Sequence, residues 1–468
     1  MASHHGRWGG PKRFRPYPQY KRSGVEWLGD IPAHWEMRRL KTIAFAQISN
    51  VDKKILEGQE PIRLCNYMDV YYNEHIIEGM DFMAASATPE QVRRFSLRAG
   101  DVLITKDSES WTDIAVAAVV TEDLPGVLCG YHLALIRPFP NGLEGNFLAR
   151  ACAAIGPRDQ FQIAANGITR FGLGGDAIRN ALFGIPPIEE QRAITAFLDR
   201  ETARIDALLA KKERLIELLQ EKRTAHISRA VTKGFDSNVS MKDSAVEWLG
   251  QIPAHWDVKR LKQITRRIDV GIAEAATHAY ADEGVAILRS TNIRPNRILR
   301  DNVLRIASWF AEKNRSKYLF AGDLVTVRTG IPGTTAVVPR DLDRCQCFTM
   351  LISTPGDGQV AEFLSYFLNS GSARTYFELE GWGTAQTNIS VPILQDIPIP
   401  VPPEREQRRI VEGIESAIGT IDGLVETVEA GIDCLKELRS ALISAAVTGK
   451  IDVRDEVPDV DLDHPRTG

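Results

Sequence analysis

The chain has 468 residues, 25% of them charged and 44% hydrophobic, with a formal net charge of -4. That length holds two to four domains with ordinary cores, and the composition is that of a soluble globular protein. The balance excludes a uniformly basic nucleic-acid coat, but not a reader whose basic face is offset by acids elsewhere.

Residues 1–22 are basic and rich in glycine, proline and aromatics, and read as a flexible arm; His4–His5 is too short for a tag. They lack the apolar core of an export signal, and no later run approaches the roughly 18 residues of a membrane span, so a cytoplasmic location is expected. Next comes VEWLGDIPAHWEMRRLK at Val25–Lys41, which recurs as VEWLGQIPAHWDVKRLK at Val246–Lys262. Thirteen of the seventeen positions agree at an offset of 221, so the chain is a duplication.

Residues 42–184 carry β-like runs (Ala115–Val120, Leu133–Phe139) and a helical stretch, Glu144–Ile155, split by turn residues. Candidate contact residues lie between the runs: Asn66, Tyr67, Tyr72 and Asn73; Lys106, Ser108 and Ser110; and Arg170. FGLGG (Phe171–Gly175) looks like a cofactor loop but reads as a turn that opens no helix.

IPPIEEQRAI (Ile185–Ile194) then enters a long helix: proline suits the first turn, and the acids after it suit the N-terminal dipole. Ile194, Leu198, Ile205, Leu208, Leu215 and Leu219 fall on a heptad seam.

The second copy repeats this order. Its block, to about residue 400, has β-like runs Ala286–Thr291 and Ala336–Pro339 and a helical stretch, Val360–Asn369. Between Lys259 and Arg344 stand 16 Lys and Arg against 9 Asp and Glu, twelve of the sixteen being arginine. Arginine grips guanine edges and phosphates in a bidentate manner.

Candidate contacts here are Arg289, Ser290, Thr291, Asn292, Arg294 and Arg297; Arg328 and Thr329; and Gln386, Thr387 and Asn388. LRAGDVLITK aligns with LFAGDLVTVR, which sets Lys106 against Arg328, and the ITRFG stretch corresponds to the AQTNI stretch at an offset of 216, which sets Arg170 against Gln386 and Gly172 against Asn388. Matching positions with unlike side chains would read unlike sequences.

VPPEREQRRI (Val401–Ile410) opens the second helix, whose seam runs through Ile410, Ile414, Ile421, Leu424, Val428, Leu435, Leu438 and Leu442. Pairing the two helices antiparallel would bury both seams; the plainer alternative packs each on its own domain. An acidic tail closes the chain.

Expected domains are therefore an arm 1–22, a head 23–184, a helix 185–234, a head 235–400, a helix 401–450 and a tail 451–468. The fold class is mixed α/β (α+β): two tandem heads joined by two long antiparallel coiled-coil helices, pseudo-twofold and elongated.

Signatures of catalysis are missing from the sequence. It holds no GxxxxGK[ST], no [DN]PP[YFW] and no HExxH; His75, His132 and His278 are isolated. The six cysteines form no CxxC pair, and Cys345 and Cys347 read as strand alternation, not a metal site. No catalytic residue, metal or cofactor is expected in this chain. A coiled-coil scaffold with protein- or ligand-binding heads and no DNA role is the rival.

The repeated VEWLG-x-IPxHW-x-x-x-RLK, the L-x-AGD block and the [IV]PPxxEQ helix entry together resemble the specificity subunit of Type I restriction–modification enzymes, over residues 18 to 450. The resemblance implies that the heads are target recognition domains, each reading half of a split site in double-stranded DNA. It implies helices that space the heads and dock two methyltransferase (modification) subunits, with two restriction (motor-nuclease) subunits joining for cleavage. Adenine-N6 methylation would use S-adenosylmethionine in the methyltransferase; ATP and Mg would serve the restriction subunit. Two features depart from the pattern. The first head has RFG where the second has QTN, and the basic arm has no second counterpart.

Overall fold

The computed structural model describes residues 14–140, 142–274, 277–380 and 388–456. It divides into two units: Met1–Lys211 with Ala430–Gly468, and Lys212–Glu429.

In the first unit a five-stranded sheet runs in the order Ala44–Ile48, Leu133–Pro138, Val102–Thr105, Ala117–Val120, His75–Ile76. All its pairings are antiparallel except the last. Side chains alternate across a strand with period two, and the burial follows. Val102, Ile104, Val119, Ala134 and Ile136 face one core, and Leu103, Ala118, Val120, Leu133 and Leu135 face another. The second core is closed by a three-stranded sheet, Val127–Cys129, Glu60–Cys65 and Met83–Ala87. The first is closed by the helix Gly145–Ala153 and by the long helices.

The second unit repeats the design. Its sheet runs Thr265–Val270, Leu351–Pro355, Leu324–Thr326, Thr335–Val337, beside a three-stranded sheet of Leu304–Ile306, Tyr280–Leu288 and Gln346–Cys347. The repeated motifs are the joints. Asp101 of LRAGD is buried; its carboxylate accepts from the Arg98 backbone N–H at 2.8 Å and pairs with Arg137, while Gly100 holds a φ of 85° that the turn requires. Asp323 does the same for Phe320 N–H, at 2.9 Å.

The PPxxEQ glutamines staple each head to its helix. Gln191 accepts from Glu144 N–H at 2.8 Å and Gln407 from Val360 N–H at 2.9 Å. PAHW meets the preceding glutamate: His34 Nε2 lies 2.7 Å and Trp35 Nε1 2.9 Å from Glu190, and His255 Nε2 lies 2.8 Å from Glu406.

The long helices are Ile188–Lys233 and Glu404–Val447. In the first unit Ile194, Phe197, Leu198 and Ile205 share a core with Leu442, Ile443, Ala446 and Val447. In the second, Ala230 and Val231 share one with Ile410, Val411 and Ile414. Early residues of each helix thus meet late residues of the other, which is the antiparallel pairing. The same two positions, offset by 216, form an ion pair in each unit: Arg439–Asp206 and Arg223–Asp422, both at 3.0 Å.

The seam differs from expectation by one residue at every second position. Ile205, Ile421, Val428 and Leu442 are buried and Leu219 and Leu435 half-buried, but Leu208, Leu215, Leu424 and Leu438 are exposed. Leu209, Ile216, Val425, Ile432 and Arg439 occupy the inward places instead. The helices turn toward each other with steps of four then three where three then four was read, so these four leucines look outward.

Residues 14–22 are not a free arm. Tyr17 is buried in the first core, Tyr20–Arg22 pairs with Asp30–Pro32, and Arg15 bridges Asp452. Lys450 Nζ donates to Leu28 O at 2.9 Å and Asp30 O at 2.7 Å. Residues 1–13 of the expected arm and 457–468 of the tail lie outside the described residues. FGLGG is also more ordered than expected: Phe171–Gly172 is a strand, and Gly175–Asn180 is a short helix.

Candidate nucleic-acid interface

In the first head the loop after Val102–Thr105 meets a hairpin. Phe171–Gly172 pairs with Asp107–Ser108, and Leu173 N–H donates to Lys106 O at 2.7 Å. Gly167 makes the hairpin possible: its φ is 146°, and a Cβ there would lie 1.9 Å from Arg170 O. The loop and hairpin enclose an open cavity of about 600 Å³ lined by Tyr67, Asp107, Ser108, Glu109, Ser110, Asp113, His132 and Arg170.

Five of the expected contact residues thus converge, counting Lys106, whose ammonium pairs with Asp107. Tyr67 donates to Ser108 Oγ at 3.3 Å and stacks on Tyr71 with centroids 5.5 Å apart. Ser110 Oγ lies 2.6 Å from Thr112 Oγ1. Asp107 and His132 were not among the expected residues. His132 Nδ1 lies 3.1 Å from Asp107 Oδ2, and Arg170 Nη2 lies 2.9 and 3.2 Å from the two ring nitrogens of His132. Burial pushes the Asp107 carboxyl up, but hydrogen bonds from Lys106 and His132 outweigh it and hold the group below the usual range.

Asn66 begins the short helix Tyr67–Tyr72, its backbone N–H donating to Asp69 Oδ2 at 2.6 Å. Tyr72 and Asn73 are exposed and fall elsewhere, on a cavity of about 320 Å³ shared with Asn146, Arg150 and Arg158. They do not join the Lys106–Arg170 group.

In the second head the same backbone bond recurs: Ile389 N–H donates to Arg328 O at 3.1 Å, as Leu173 does to Lys106. Arg328 Nε donates back to Ile389 O at 3.2 Å. Thr329, Ile331 and Asn388 are exposed around it. Gln386 and Thr387 lie outside the described residues.

Arg289 stands where Asn66 stands, its N–H donating to Asn292 Oδ1 at 3.0 Å. Asn292 is therefore a turn-holding residue: it is 2% exposed, and its Nδ2 donates to Asp301 O at 3.3 Å, so its amide is committed within the fold. Ser290 and Thr291 are exposed on that turn. Beyond it a two-residue turn with Asn296 at φ 60° sets Arg294 and Arg297 directly opposite one another, both exposed. Like charges facing across a strand pair are destabilising unless an anion lies against them.

Cys345 and Cys347 are buried in the apolar core behind this face, and burial pushes the Cys345 thiol up to about 12. Among the described residues no group of three or more His, Cys, Asp or Glu is placed to hold a metal ion. No described helix is long and apolar enough to cross a membrane.

Comparison with known proteins agrees with this layout. The family model for the Type I restriction modification DNA specificity domain matches residues 253–430. The chain is 23% identical over 435 residues to the MjaX type I restriction enzyme specificity subunit of Methanocaldococcus jannaschii, covering 91% of this chain and 96% of that one. It is 21% identical over 298 residues to the EcoBI specificity subunit of Escherichia coli, covering 62% of each. Among solved structures, the HsdS subunit from Thermoanaerobacter tengcongensis superposes with a TM-score of 0.52 at 17% identity, over 90% of this chain and 98% of that one. A chain from a type I R-M system solved for its complex assembly and conformational transition gives 0.64 at 18% identity, over 89% and 98%. With its duplicated heads and paired helices, the chain is similar over most of its length to Type I restriction–modification DNA specificity subunits.

Proposed function

We propose that this chain gives a Type I restriction–modification complex its DNA sequence specificity, each head taking one half of a bipartite duplex site. One observation carries the reading. The two heads hold the same backbone frame around Lys106 and Arg328, yet the side chains on that frame differ: Asp107, Ser108, Glu109 and Ser110 in one, Thr329, Gly330, Ile331 and Pro332 in the other. A shared frame with unlike polar and apolar edges suits two different base sequences. The facing Arg294 and Arg297 suit a phosphate backbone.

On this reading Lys106, Arg294, Arg297 and Arg328 supply phosphate or base contacts, with Asn66, Tyr67, Ser108, Ser110, Ser290, Thr291, Thr329 and Asn388 around them; Gln386 and Thr387 are proposed as contacts from the sequence alone. Tyr72 and Asn73, on their separate cavity, are the weakest members of the set. Bond-making and bond-breaking belong to partners: two methyltransferase subunits carrying S-adenosylmethionine for adenine-N6 transfer, and two restriction subunits using ATP and Mg, all in the cytoplasm. The outward Leu208, Leu215, Leu424 and Leu438 are apolar side chains available to such partners.

The test is duplex binding by the full-length chain across a salt series. Counterion release predicts affinity falling steeply with salt, with a log–log slope of about -0.9 per phosphate contacted. Binding that ignores salt, or methyl transfer or cleavage by the chain alone, would refute the proposal.

A further inference from the structure

We propose that Arg170 reads a guanine in the half-site taken by the first head, and that His132 and Asp107 are the positioning residues that hold its guanidinium for that contact. The inference rests on the reading of the chain as a DNA specificity subunit and gives one position of its site a chemistry.

Three carboxylates line the cavity that Arg170 borders: Asp107, Glu109 and Asp113. They would repel a phosphate, whereas the neutral edge of a base pair carries no such penalty. A G·C pair offers guanine O6 and N7 as acceptors and the cytosine amino group as a donor. Arginine matches the two acceptors in a bidentate manner, and a carboxylate such as Glu109 matches the amino group.

Position comes from a chain of contacts. Lys106 pairs with Asp107, and Asp107 Oδ2 lies 3.1 Å from His132 Nδ1. Arg170 Nη2 lies close to both ring nitrogens, so the guanidinium lies along the imidazole with one nitrogen engaged. Its Nε and Nη1 make no hydrogen bond among the described residues. The Tyr131 ring lies against His132, with centroids 3.8 Å apart. Below, the hairpin is fixed by the Phe171–Gly172 pairing and by the Gly167 turn that no side chain fits. A guanidinium held in advance loses little freedom on binding.

The test exposes the full-length chain to a pool of random-sequence duplexes at fixed salt and sequences the bound fraction. The parent should enrich a two-part motif. R170A should lose a guanine preference of about 10- to 100-fold at one position of one half, leaving the other half unchanged as an internal proof of folding. R170K should keep the salt dependence but lose the guanine, since an ammonium cannot form the bidentate pair. H132A and D107A should weaken the same position, and D107N, which keeps an acceptor for His132, should recover part of it. Retention of the guanine by R170A overturns the proposal, and retention by both H132A and D107A overturns the positioning role. A parent that enriches no motif removes the specificity-subunit reading itself, and this inference with it.

Discussion

Replacing Glu190 by alanine should cost the first head about 3 kcal/mol, whereas the same change at Glu406 should cost the second under about 1. The two glutamates hold equivalent places ahead of the PPxxEQ glutamines, but their surroundings differ. Glu190 is 6% exposed, and its carboxylate takes Trp35 Nε1 at 2.9 Å and His34 Nε2 at 2.7 Å. Trp35 is fully buried, so E190A leaves an indole N–H in the core without an acceptor, at about 1–3 kcal/mol, and removes a hydrogen bond to a charged group worth roughly 1–2 more. Trp256 Nε1 already lacks an acceptor among the described residues, and His255 is exposed. E406A therefore removes only a half-solvated contact, of about 0–1 kcal/mol. Amide hydrogen exchange resolves the heads separately: Glu36–Arg39 and Leu182–Ile185 report on one joint, Asp257–Arg260 and Pro398–Val401 on the other. E190Q, which keeps an oxygen for Trp35, should recover most of the loss. Equal losses in E190A and E406A would refute the reasoning.

Other consequences can be checked together. I205A, in a buried seam position, should cost about 2–4 kcal/mol, while L208A should stay within about 0.5 in a thermal melt; equal costs would return the seam to its first-read phase. Burial raises the Glu74 carboxyl, but Arg150 and Arg439 overcome this and hold it below its ordinary value. Its folded pKa thus lies below the unfolded one of about 4.3, so its contribution is complete above that pH and fades as pH falls through the folded value. E74Q should accordingly flatten the acid limb of a stability–pH curve. Seven residues inserted near Ala210–Glu213 and at the matching place in the second helix preserve the seam and add about 10 Å. Methylation mapping in cells with the partner subunits should then show a gap roughly three base pairs longer, with both half-sites unchanged.

What the sequence yielded and what it hid follow from the same physics. Duplication made the joints readable, because a buried Asp101 and Asp323, or Gln191 and Gln407, must keep identity to keep their bonds. The seam was half right because a heptad read as three then four shares every second position with one read as four then three. Leu438 then outscored Arg439 on hydrophobicity, although the arginine sits inward by pairing with Asp206 and Glu74; at 208/209, 215/216 and 424/425 both neighbours are aliphatic, and only burial separates them. Asn292 looked like a base reader because a loop asparagine serves equally as a cap, and only burial separates the two. His132 looked isolated because its partners lie 25 and 38 residues away along the chain. The Asn66 and Arg289 turns share one bond in the structure, each backbone N–H donating to the side chain of the residue three ahead.

The way residues 14–22 lie against residues 450–454 has a bearing on how the protein is made. The second unit is one uninterrupted stretch, so a ribosome delivers every residue of its interior before residues 430–468 emerge. The first unit draws Leu442, Ala446 and Val453 into the interior begun by Tyr17, and must wait for them. Although synthesised first, the N-terminal head is the last to be sealed, and in the interim its unfinished apolar surface is what a chaperone would meet.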